Sequence, residues 1–188
     1  MQRIPPLQAP FPAEVQAHFD QVMPAGMPPL VLFTTLASSE RAWRKFRAGS
    51  LLDGRLLSLR EREIVINRVC ARTGCEYEWG VHVTAFAKAA RLSRADIAAT
   101  LTYPRQPGCW SAREAALLST IDALHDRATL SAAEFAELQA HFDNNQILEV
   151  LLLAGFYRTV AYIANGLDLP LEETAARFAD FPPTSAAG

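Results

Sequence analysis

Three cysteines in 188 residues are too few, and odd in number, to frame a disulfide-built secreted fold. Cys70, Cys75 and Cys109 read instead as thiols of a reducing compartment, and the cytoplasm is the expected location. An apolar leader is missing too, because prolines break Met1-Gln-Arg-Ile-Pro-Pro. Charge of one sign is scarce. There are 18 Lys and Arg against 20 Asp and Glu, a formal charge of −2, and the signs alternate along the chain. That leaves no footing for nucleic acid or an anionic membrane. G-x-G-x-x-G and P-loop patterns are lacking, so no nucleotide cofactor is supported and none is expected. H-E-x-x-H and C-x-x-C are lacking, His18, His125 and His141 have no companion at ligand spacing, and no metal is expected. Alternating strand patterns are weak. Val and Ile fall mostly in i, i+3, i+4 patterns, which predicts an all-α fold. One long apolar run exists, Ile147 to Leu167. Glu149, Arg158 and Asn165 interrupt it, so it reads as a buried helix and not a membrane span.

Half of the residues are hydrophobic, enough for one domain with a real core. Helices are expected at 12–23, with Val15, Phe19, Val22 and Met23 inward, and at 30–36. The next is capped by Ser38 or Ser39. Asp53-Gly54 is a turn. Ser58 with Glu61, Ser111 with Glu114 and Ser131 with Glu134 have the capping-box spacing, and each predicts a helix start. The first of these helices ends at Thr73-Gly74. Cys75 to Arg91 follows, then a short helix capped by Ser93. A loop covers Tyr103 to Cys109, helices run 111–127 and 131–142, and a long helix is capped by Asp143 or Asn144. Pro170 is expected to open a last helix, with Glu172 and Glu173 in its first turn, before a frayed tail from Phe181. Residues 1–50 are taken as an arm or cap, 51–175 as the core, and 176–188 as the tail.

The run from Glu63 to His82 concentrates chemistry. Cys75, Glu78 and His82 stand at i, i+3 and i+7, which puts a thiol, an acid and an imidazole on one helix face. Glu63 lies on the preceding helix, which a turn at Gly74 can fold back against that face. Glu61 and Glu63 are about 200° apart around their helix, so one faces inward and the other the surface. Cys75 falls at a helix start, where unpaired amides favour a thiolate, while Glu76 and Glu78 oppose one. The sequence leaves that balance open. Cys70 becomes a resolving thiol only if the helix end frays. Tyr157 and Asn165 on the long helix, with Tyr77, are candidate pocket residues.

Glu63, eleven residues, Cys75 and then His82 resemble the alkylhydroperoxidase D / carboxymuconolactone decarboxylase family. Its redox branch carries a Glu, eleven residues and C-x-x-C-x-x-x-H. Ser58-Leu-Arg-Glu-Arg-Glu-Ile-Val-Ile and Gly155-Phe-Tyr157-Arg-Thr-Val-Ala-Tyr-Ile-Ala-Asn165-Gly-Leu also look like it. The departure is Glu78, which stands where the redox branch has its second cysteine. The resemblance implies a helical bundle that works as a homo-oligomer, a dimer, trimer or hexamer, on a small-molecule substrate. It also implies a site of Cys75, His82, Glu63 and Glu78. Three functions follow: peroxide reduction through Cys75 with His82 and Glu63 as proton relay, acid–base chemistry on a small acid or lactone through Glu78 and His82, or non-catalytic small-molecule binding by an oligomer.

Overall fold

The computed structural model describes residues 2–52, 56–104 and 110–182, which form nine α-helices and no strand. They are α1 (Ala13–Val22), α2 (Val31–Ala37), α3 (Glu40–Gly49), α4 (Leu59–Arg72), α5 (Glu76–Phe86), α6 (Arg94–Thr102), α7 (Ala112–Arg127), α8 (Ala132–Gln139) and α9 (Asn144–Gly166). The all-α expectation is met. The Asp53-Gly54 turn, most of the loop with Cys109, and the tail beyond residue 182 lie outside the described residues.

Local sequence explains the helix starts. Ser58, Ser111 and Ser131 each accept the amide of the acid three residues on, and that acid's carboxylate accepts the serine amide. Ser93 with Asp96 and Asp143 with Gln146 make the same reciprocal pair. At α3 the cap is Ser39, whose side chain accepts from Ala42.

α4 is the central helix. Residues Glu63 to Cys70 are buried on every side, because α5, α6, α7 and α9 all pack against it. A central position forces its polar side chains to find partners. Arg68 is 2% exposed, and its guanidinium donates to both oxygens of Asp122, at 2.7 and 2.8 Å, and to the carbonyls of Thr100 and Tyr103. α9 is the one described helix long and apolar enough to cross a membrane. One of its faces, including Val150, Leu153, Tyr157 and Val160, lies in the core. The first three helices join this core through an aromatic chain, Phe19 to Trp43 to Phe46 to Phe156 of α9. On α1, Phe19 is buried but Val22 is half exposed, so the inward face is narrower than expected.

The end of α4 decides how α5 lies. Gly74 takes a left-handed conformation, φ +61°. The Gly74 amide donates to Ala71 O (3.2 Å) and the Cys75 amide to Cys70 O (2.8 Å). This nested pair is the Schellman arrangement, which sets the second residue past the helix beside one in its last turn. Asn165 of α9 holds the same corner, its amide donating to Thr73 O at 3.0 Å.

Two expected elements differ. α5 stops at Phe86, not Arg91: Leu92 N–H reaches back to Ala87 O and Arg91 turns left-handed at φ +55°. No helix starts at Pro170 either. The segment passes through a turn closed by Ala175 N–H to Glu172 O and crosses α5 to one 3-10 turn, Phe178–Asp180. Its side-chain and backbone contacts take over from helical bonding. Glu172 accepts Val31 N–H and the Tyr77 hydroxyl, Glu76 accepts Phe178 N–H, and Phe178 and Phe181 meet Trp79 edge-on. Gly80 permits the close approach, since a β-carbon there would meet Ala176 O at 2.2 Å.

Removing the partner of a buried charge costs more than removing the pair. Asp122→Ala is therefore expected to destabilise the protein by about 3–5 kcal/mol in urea unfolding. A loss under about 1 kcal/mol, as for an exposed pair, would contradict the buried role of Arg68.

Candidate active site

Three helices deliver the polar cluster beneath this corner. α4 supplies Glu63, α5 supplies Glu78 and His82, and α9 supplies Tyr157. Cys75 is the residue just before α5. All are buried: Glu63 and Cys75 have no exposure, and Tyr157, His82 and Glu78 have 2%, 3% and 6%. Of the two acids on α4, Glu63 is the inward one. Glu61 serves as the capping acid and pairs with Arg113.

His82 is the centre. Its Nδ1 lies 2.8 Å from Glu63 Oε2. Its Nε2 lies 3.0 Å from the Tyr157 hydroxyl and 3.3 Å from Glu78 Oε1. Arg62 donates through Nε (2.9 Å) and Nη2 (2.7 Å) to the other oxygen of Glu63, so both carboxylate oxygens are engaged. Burial alone would push the His82 imidazole down. Glu63 and then Glu78 outweigh it and hold the imidazolium up to about 9. In that form Nδ1–H donates to Glu63 and Nε2–H is shared by Tyr157 and Glu78. Burial, with the charges of Glu78 and Glu63, keeps the Tyr157 phenol protonated well above its ordinary range.

Glu78 touches both sides of the site: its backbone amide favours the Cys75 thiolate, and its carboxylate lies 3.3 Å from His82 Nε2. The Cys70 thiol lies against the Cys75 sulfur, and as a hydrogen-bond donor it lowers the Cys75 pKa. Burial opposes this, the backbone amide of Glu78 assists, and the Glu78 charge opposes. The balance left open by the sequence falls toward a lowered Cys75 pKa, and the main reason is Cys70. Glu76 plays no part, being turned toward Phe178. Cys70 itself is pushed well up, first by burial and then by its contact with Cys75 and the charges of Glu78 and Glu63. Cys70 is thereby the hydrogen-bond donor of the pair and Cys75 the acceptor. Glu78 Oε2 is buried with no hydrogen-bond partner among the described residues.

Cys75, Glu78, His82, Glu63 and Tyr157 are thus brought together. Tyr77 and Asn165 are not. The Tyr77 hydroxyl accepts Leu32 N–H and donates to Glu172, and exposed Asn165 holds Thr73 O; both are clamps. Two residues join the cluster that sequence reasoning missed or underweighted. Arg62 is next in sequence to Glu63, and neighbours i, i+1 do not ordinarily share a helix face. Cys70 had a readable signal, five residues before Cys75 across Thr73-Gly74, which is the Schellman spacing. No fraying is needed to bring the two thiols together.

Residues 38–122 match the model of the carboxymuconolactone decarboxylase family. No functionally curated protein matches the sequence. Among solved structures, the chain is similar to an uncharacterised peroxidase-related protein from Silicibacter sp. TM1040, at 21% identity and TM-score 0.79, with 92% of each chain covered. A peroxidase-related protein with an alkylhydroperoxidase AhpD core from Ralstonia eutropha JMP134 is similar at 18% identity and TM-score 0.80, over 92% of this chain and 93% of that one. The debrominase Bmp8, solved as a cysteine-to-alanine variant with 2,3,4-tribromopyrrole, shares the fold at 15% identity and TM-score 0.75, over 91% and 92%.

The folded His82 value, about 9, exceeds the ordinary 6.5. Stabilisation from the pair is therefore complete below about pH 6.5 and is lost as pH rises through about 9. NMR titration should place His82 well above an ordinary histidine, and Glu63→Gln should bring it down. Urea unfolding across that window, in Cys75→Ser to remove the opposing thiol titration, should show stability falling with pH. A flat profile with an ordinary His82 value would dismiss the pairing.

Proposed function

Because residues 38–122 are a carboxymuconolactone decarboxylase family segment on an alkylhydroperoxidase D-like fold, we propose that this protein reduces a small hydroperoxide through Cys75. The observation that carries the reading is the Cys75 sulfur at the start of α5, with the Cys70 thiol and the Glu78 amide both favouring its thiolate. The thiolate attacks one peroxide oxygen. An S–O bond forms, the O–O bond breaks, and Cys75 becomes a sulfenic acid. The leaving oxygen takes a proton and departs as alcohol or water. In this reading His82, held between Glu63, Tyr157 and the Glu78 carboxylate, supplies that proton. A thiol reductant of a reducing compartment returns Cys75 to its starting state.

A second reading keeps the same site. Glu78 Oε2 is a buried acceptor with no hydrogen-bond partner among the described residues. With His82 beside it, this suits proton abstraction from a small organic acid or lactone, with Cys75 a bystander. The two readings part on one substitution. In a peroxide-consumption assay with a thiol reductant, Cys75→Ser should abolish turnover, and Glu78→Gln and His82→Asn should lower it about 100-fold or more. Peroxide turnover unchanged in Cys75→Ser, or absent from wild type, would remove the thiol reading.

The reading includes a homo-oligomer assembled through α9. Leu148, Leu152 and Tyr162 on its outer face are 58%, 62% and 63% exposed, an apolar stripe that a second copy would cover. Light scattering should give a mass above the 20.7 kDa monomer, and a monomer at micromolar concentration would contradict the assembly.

A further inference from the structure

The redox branch resembled by this chain places its second thiol three residues after the first, where this chain has Glu78. The structure places a thiol on the other side of Cys75. Cys70 and Cys75 stand at the two ends of the Schellman turn, joined by the 2.8 Å bond from Cys75 N–H to Cys70 O. That turn sets the side chains of its two end residues against each other, a contact usually made by two apolar groups. Here both groups are thiols. Gly74 supplies the left-handed residue the turn requires, and open space surrounds its missing β-carbon, so backbone conformation alone selects glycine there. Asn165 fixes the corner from α9. Cys70 and Cys75 are both buried without exposure.

We propose that Cys70 is the resolving thiol of this site, and that Cys70 and Cys75 form a disulfide across the turn between α4 and α5. The inference rests on the thiol reading of Cys75. After peroxide has oxidised Cys75 to the sulfenic acid, the Cys70 sulfur attacks the Cys75 sulfur. The S–S bond forms, the S–O bond breaks, and hydroxide leaves with the Cys70 proton as water. An external dithiol then reduces the bridge and is itself oxidised to a disulfide. Cys70 is held protonated until that step, first by burial and also by the nearby charges of Glu78 and Glu63. Glu78 is thus left to proton transfer, and the thiol missing from its position is supplied by the end of α4, five residues before Cys75.

The test is peptide mapping and intact mass of the full chain after stoichiometric peroxide, followed by steady-state turnover. Wild type should lose about 2 Da and yield a crosslinked Cys70–Cys75 peptide, while Cys70→Ala should gain about 16 Da at Cys75. With a thiol reductant, Cys70→Ala should slow the first oxidation, because Cys75 loses its donor, and should lower the steady-state rate by about tenfold or more beyond that slowing. A lasting sulfenic acid at Cys75 in wild type, a Cys75–Cys109 bridge, or unchanged turnover in Cys70→Ala would overturn the inference and leave the thiol reading standing. Cys75 untouched by peroxide in both proteins would overturn both. The wild-type map needs no variant, so poor folding of Cys70→Ala does not remove the test.

Discussion

Glu63 is a carboxylate with no exposure at all, and much of the molecule is arranged to answer its charge. A lone ion of this kind is too costly to bury unless it is paired and hydrogen-bonded. Arg62 takes one oxygen, and His82 takes the other. The second contact binds α5 to α4 and keeps the imidazole charged. Tyr157 then ties α9 to the same ring. The polar centre is therefore a packing constraint on three helices as well as a chemical site, and the identity of Glu63 matters to both.

α4 separates two kinds of buried charge. Arg68 points toward α6 and α7, and every partner it has is a fixed structural one, two carbonyls and the Asp122 carboxylate. The Glu63 cluster points toward α5 and α9 and retains unspent capacity: a shared Nε2, a phenol and one carboxylate oxygen with no hydrogen-bond partner among the described residues. Fully satisfied buried networks make a fold rigid, and the Arg68 network is of that kind. The Gly74 turn joins the two functions, because the backbone bonds that end α4 also bring two thiols together at the mouth of α5.

Much of this was legible in the sequence. Helix starts were readable because a hydroxyl and an acid three residues apart make a local bond that needs no tertiary information. The i, i+3, i+7 spacing of Cys75, Glu78 and His82 placed them on one face, and the pattern of Glu61 and Glu63 required one acid to point inward. What escaped depended on contacts between distant segments. The chain after Pro170 carries acids suited to a helix start, yet Tyr77 and Val31 capture Glu172, and Gly80 admits the backbone at Ala176. Tyr77 and Asn165 had plausible positions for a pocket, but their polar atoms are spent on clamping neighbouring segments. Arg62 was hidden because a long side chain can curl back to its neighbour, which periodicity does not express.

Cys70 and the Glu78 amide outweigh burial at Cys75 and lower its pKa, which makes it the more acidic thiol of the pair. Thiolate absorbance in the ultraviolet measures this directly, as the pH titration of wild type minus that of Cys75→Ser. The account predicts a midpoint below the ordinary cysteine value of about 8.5, moving upward in Cys70→Ala. A midpoint at or above that value in wild type, unmoved by loss of Cys70, would contradict it.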